Sequence, residues 1–181
     1  QGMERFPYNT LNAENPGISG FGDLYQNINQ MNLFISRTLH TDVLTESARN
    51  YYLGQVYGLR AYYMYQLYRS WGDVVFTEEP SLGFEVGKLA KAATPAAEIF
   101  EQVKKDIESS LSYFGPDYTI KEKKSLWSKA ATLMLKADVY LWSAHRDGGE
   151  GDARTAKNAL VDIQNNISRS NLDLMDTYQG V

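Results

Sequence analysis

The stretch from Thr41 to Arg69 most restricts how this chain can fold, because it reads as one long helix with two apolar faces. Placed at about 100° per residue, Ala48, Tyr52, Val56, Leu59, Tyr63 and Leu67 form one stripe. Tyr51, Gly54, Gly58, Tyr62 and Tyr65 form a second, nearly opposite. A helix apolar on two sides needs a neighbour on each. Gly54 and Gly58, one turn apart, let a neighbour come close despite costing about 1 kcal/mol each in helix propensity. Thr41-Asp42 is the expected start of this helix, with a capping side chain.

The rest of the chain supplies the neighbours. Leu24, Ile28, Met31 and Ile35 recur at helical spacing between Gly22 and His40, with Asn and Gln between them. Trp71-Gly72-Asp73 ends the long helix, and Val74–Thr77 reads as a short extended segment. Thr94-Pro95 opens a third helix carrying Phe100, Val103, Ile107, Leu111 and Phe114, which Gly115-Pro116 stops. Ser125 is the expected cap of a fourth, with Trp127, Ala131, Met134 and Leu141 on one stripe and Ala130, Leu133, Ala137, Tyr140 and Ala144 on another. Asp147–Asp152 reads as a surface loop before a fifth helix of Ala156, Ala159, Leu160, Ile163 and Ile167. Leu59-Arg60-Ala61 is echoed by Leu135-Lys136-Ala137, each in a large-small helix followed by a thinner amphipathic one. This pairing predicts an all-α fold of tetratricopeptide-like helical pairs stacked in a right-handed array, with long loops and one short extended segment. The whole of 1–181 is expected to be one domain, with 1–21, rich in Asn, Pro and Gly, as an irregular arm.

Composition removes several kinds of chemistry. Eighteen basic against 22 acidic residues give a net charge of −4, which argues against a nucleic-acid binder. Lys121, Lys123 and Lys124 make only a small basic turn. Zero cysteines exclude thiol catalysis, disulfides and Cys-ligated zinc. His40 and His145 both fall at helix ends without metal-ligand spacing. His145-Arg146-Asp147 spells a kinase triplet with none of its companions. The acids of Asp147–Asp152 lack the alternation of a calcium loop, and Glu78-Glu79 fits exposed loop acids better than a glycosidase pair. No apolar run reaches the length of a membrane span. The expectation is a protein with no catalytic residue, metal or cofactor.

Two groups of residues stand out. Arg60 lies between Leu53 and Leu67 on the long helix, so its guanidinium is expected to be enclosed and to need carboxylate partners, with Asp106 and Asp138 in the following helices as mates. The three form an expected structural clamp. Phe6 and Tyr8, flanked by Asn9 and Asn12 in the arm, are the ligand candidates, since aromatic faces stack on sugar rings and amides serve hydroxyls. Packing of the arm onto the bundle is the other reading of those four.

With the helices placed, the chain resembles the SusD/RagB family over about residues 22–178. Leu59-Arg60-Ala61-Tyr62-Tyr63 followed by Trp71-Gly72-Asp73-Val74 is similar to its Leu-Arg-Ala-aromatic-aromatic and Gly-Asp motifs. Glu98-Ile99-Phe100 through Lys105-Asp106-Ile107-Glu108 resembles its next helix, and Ser128-Lys129-Ala130-Ala131 to Tyr140-Leu141-Trp142 the one after. Val75 stands where the family usually has Pro, and Asp138 where Arg is common. The resemblance implies the N-terminal tetratricopeptide-like portion of a longer, surface-exposed lipoprotein of the Bacteroidetes outer membrane. Such a protein binds an oligosaccharide, a polysaccharide or another nutrient without catalysis. It caps a TonB-dependent (SusC-like) transporter, with membrane attachment only through a lipid anchor outside these residues. A helical scaffold that binds protein alone is the alternative.

Overall fold

The computed structural model describes residues 20–83, 91–121 and 125–170. Five α-helices carry it: α1 (Gly22–Leu39), α2 (Glu46–Trp71), α3 (Ala96–Phe114), α4 (Lys129–Ser143) and α5 (Gly149–Asn165). The fold is all-α and tetratricopeptide-like. Its most extensive packing is α2 on α3 and α4 on α5, with α1 laid against α2. Tyr68 meets Phe100, Arg60 meets Asp106 and Ser110 meets Gly54, so α2 and α3 run antiparallel.

One core joins the first four helices through Ile28, Met64, Tyr65, Leu67, Ile99, Val103, Ile107 and Val139. A smaller one, built from Leu133, Ala137, Ala156, Ala159 and Tyr118, closes the second pair. The burial of α2 differs from the expected stripes. Leu53, Gly54, Ala61, Met64, Tyr65 and Leu67 are buried, whereas Tyr52 and Tyr62 are exposed. Tyrosine tolerates this because its ring can lie along a seam while its hydroxyl reaches water.

The glycines behave as close-approach sites. The indole of Trp127 and the hydroxyl of Thr132 fill the space over Gly58, and the Phe114 ring covers Gly54. Ser110 adds a hydrogen bond from its Oγ to the Gly54 carbonyl, at 2.6 Å.

Helix starts differ from the sequence expectation in four places. The cap of α2 is Thr45, whose hydroxyl accepts from the Ala48 amide, while Thr41 closes the preceding turn. Thr94 does not cap α3. It pairs with Val74 in an isolated antiparallel bridge, which is all that forms of the extended segment among the described residues. Asp73 does the capping across the chain, its Oδ1 accepting from the Ala96 amide at 2.8 Å. Ser128, not Ser125, caps α4. The acidic segment after Asp147 is helical too. A π-helical turn, Ala144–Gly148, runs into α5, with Glu150 and Asp152 in the first turn where the helix dipole favours negative charge.

A Cβ at position 58 would overlap the Trp127 indole nitrogen. Gly58→Ala should therefore destabilise the chain by about 2 kcal/mol or more in urea unfolding. Gly22→Ala, which meets open space, should change stability by less than about 1 kcal/mol.

Candidate functional site

Arg60 is a fully buried charge, at 2% exposure, and its three guanidinium nitrogens are all engaged. Nε and Nη2 donate to the two carboxylate oxygens of Asp106, each at 2.7 Å, in a bidentate fork. Nη1 donates to Asn32 Oδ1 at 2.8 Å. The ring of Tyr57 lies under the guanidinium at 5.2 Å. Asp106 is 1% exposed and also accepts from Gln102 Nε2 at 2.9 Å. Burial pushes its carboxyl up from the ordinary aspartate range, and the bonds from Arg60 and Gln102 pull against that. Burial acts to lower the Arg60 pKa, yet Asp106 holds it above the ordinary arginine value, so the arginine stays charged.

The same network reaches outward from the core. Asn32, 1% exposed on α1, donates through Nδ2 to the Thr77 carbonyl at 2.6 Å. One turn earlier, Asn29 makes a reciprocal pair with Ser81, donating to its carbonyl and accepting from its amide at 2.7 Å. Glu78 approaches Arg60 at 3.6 Å and Lys105 at 3.5 Å. An asparagine ladder on α1 thus ties the segment after α2 to the buried arginine.

That segment borders two clefts, separated by a hydrogen bond from the Tyr25 hydroxyl to the Val75 carbonyl at 2.7 Å. Burial raises the Tyr25 pKa, so the ring stays a neutral donor. On one side lies a space of about 330 Å³ bordered by Asn29, Asn32, Phe76, Thr77 and Lys91. On the other lies a space of about 450 Å³ bordered by Phe21, Tyr25, Trp71, Asp73 and Val75. Phe21 stands edge-to-face with both Tyr25 and Trp71, at 5.5 and 5.6 Å between centroids.

The expected clamp residues separate. Arg60 is bonded to Asp106, as described. Asp138 does not reach Arg60; it lies on the exposed side of α4, 3.6 Å from Arg69. The guanidinium of Arg69 covers the rings of Tyr65 and Trp142. Burial, reinforced by Asp138, pushes the Tyr65 hydroxyl up to about 12. The echo of Leu59-Arg60-Ala61 has a physical meaning, because Lys136 reaches Glu108 at 2.6 Å. Each repeat thus sends a cation to a carboxylate of α3. Phe6, Tyr8, Asn9 and Asn12 lie outside the described residues. Sequence reasoning missed Asn29 and Asn32; the signal was a pair of amides three residues apart, with Asn32 one turn on from Ile28 and so on the face that α1 buries. It also missed Phe21, Tyr25 and Trp71, which come from the start of α1 and the end of α2 and meet only in the fold. Among the described residues, no three or more His, Asp or Glu side chains converge as a metal site would require.

Comparison with known proteins places the chain. The model of the SusD-like family described as starch-binding and associating with the outer membrane matches residues 8–141, and the chain belongs to that family. A SusD-like protein, P38, of Formosa agariphila is 33% identical over 113 residues, which is 61% of this chain and 20% of that one. Among solved structures, NanU of B. fragilis is 48% identical with a TM-score of 0.85, covering 97% of this chain and 34% of NanU. A SusD superfamily protein of Bacteroides vulgatus is 46% identical with a TM-score of 0.83, with the same two coverages. The chain thus spans about a third of the length of these solved relatives.

Removing one partner of the buried pair leaves the other charge stranded. Asp106→Ala should destabilise the chain by about 3–5 kcal/mol in denaturant unfolding. The double variant Arg60→Met/Asp106→Leu should lose less than the sum of the two single changes, because no unpaired charge remains.

Proposed function

We propose that this chain is the non-catalytic, helical portion of a cell-surface protein that captures glycan and hands it to a TonB-dependent, SusC-like outer-membrane transporter. The family match over residues 8–141 carries the reading. Two likenesses agree with it in fold: a laminarin-binding SusD-like protein, 20% identical with a TM-score of 0.70, and surface glycan-binding protein A of Bacteroides fluxus, 22% identical with a TM-score of 0.64. The interior agrees with it as well. The charges in the core are locked to one another across helices, which suits a rigid frame and not a reacting group. Attachment to the membrane through a lipid anchor is part of the same proposal; no helix among the described residues is long and apolar enough to cross a membrane.

The outward face of α4 supports the partner half of the proposal. Met134 and Leu141, two turns apart, are 54% and 52% exposed. Large apolar side chains left outside at helical spacing suit a docked protein. This face also favours the second reading, a scaffold that binds protein and no glycan.

Two measurements separate the readings. Calorimetric titration with maltoheptaose and laminarin should show saturable binding, and its absence beside a stable transporter complex would favour the scaffold. In the full-length protein, Met134→Lys/Leu141→Lys should abolish co-purification with the transporter while glycan binding persists. Retention of the complex would remove α4 from the interface.

A further inference from the structure

We propose that the cleft walled by Phe21, Tyr25 and Trp71 seats one pyranose ring of the captured glycan, with Asp73 accepting a hydrogen bond from a ring hydroxyl. This deepens the glycan-binding reading and rests on it. The space, about 450 Å³, falls in the range of small-molecule sites. Its aromatic walls do not share one plane. Phe21 stands at 71° to Tyr25 and 82° to Trp71, so ring surface is offered in more than one orientation. Phe21 touches both rings and is still 44% exposed, which leaves apolar aromatic surface at the mouth. The C–H face of a pyranose carries slight positive charge and pairs with the negative face of an aromatic ring.

The walls are held before any ligand arrives. The Tyr25 hydroxyl is fixed to the Val75 carbonyl, and Asp73 is fixed by the Ala96 amide on Oδ1. Among the described residues, Asp73 Oδ2 takes none of the hydrogen bonds or ion pairs. A wholly apolar guest would desolvate that oxygen without replacing its water. A cation is disfavoured too, because the positive N-terminal end of α3 already faces the carboxylate and offsets its charge. A hydroxyl donor needs only the acceptor oxygen. The neighbouring cleft is a poorer seat, since the amides of Asn29 and Asn32 are committed to Ser81, Thr77 and Arg60.

The test is a ¹H–¹⁵N and aromatic NMR titration of the 181-residue chain with maltoheptaose, the methyl pyranosides of glucose, galactose, mannose and xylose, and choline. Sugar should move the Trp71 indole signal and leave those of Trp127 and Trp142 in place. Phe21→Ala and Asp73→Asn should each weaken binding by about tenfold. Both should leave the circular dichroism unchanged, since Phe21 is at the surface and Asn keeps the oxygen that caps α3. Sugar-induced shifts elsewhere, with Phe21→Ala binding normally, would overturn the seat and leave the glycan reading standing. A response to choline alone would make the cleft a cation cage and overturn the proposal. No response to any sugar would remove the seat and the glycan reading of this chain together.

Discussion

The architecture depends on one buried charge. Arg60 sits where three helices meet, and leaving a guanidinium there unpaired would cost several kcal/mol. Its fork onto Asp106 sets the register of α3 against α2, and its third nitrogen sets α1 through Asn32. A hydrophobic seam alone tolerates sliding by a turn, because Leu, Ile and Val are interchangeable in bulk. A bidentate pair at 2.7 Å admits no such slip. The buried pair therefore contributes geometry more than net stability, and the Gly54 and Gly58 contacts complete the lock by allowing side chains to lie on the α2 backbone.

From this lock the order spreads to a segment with almost no regular structure. Residues 73–81 hold their course through contacts with other elements: the side chains of Asn29 and Asn32 from α1, and the backbone bridge to Thr94. In return, Asp73 caps α3. The aromatic cleft is a by-product of this arrangement, since Phe21, Tyr25 and Trp71 face one another only when α1 and the end of α2 are fixed together. A surface built this way is stiff, as a protein that binds without chemistry requires, because a preorganised site loses less entropy on binding.

Much of the frame was legible in the sequence. Period and punctuation located every helix, and the enclosed position of Arg60 followed from its angle between Leu53 and Leu67. Caps were harder to read. Thr41, Thr94 and Ser125 are all competent side chains, yet Thr45, Asp73 and Ser128 do the work, since tertiary contacts choose among equivalent local options. The glycine-rich acidic stretch 147–152 was misread as a loop because glycine weakens helix propensity, and the packing of α5 on α4 outweighs that. Asp138 has the right charge and the wrong face, which only the packing of α4 reveals. The aromatic cleft was the least legible, because its members are about fifty residues apart and share no motif.

The central claim is that the Arg60 network makes the segment after α2 part of the frame. Native-state hydrogen exchange of the Ser81 and Thr94 amides tests it directly. The account predicts that both exchange with an opening free energy close to that of Ile107 in α3, because one cooperative unit holds them. Fast exchange at Ser81 and Thr94 beside a fully protected Ile107 would contradict it, and would make the segment a loop lying on the bundle.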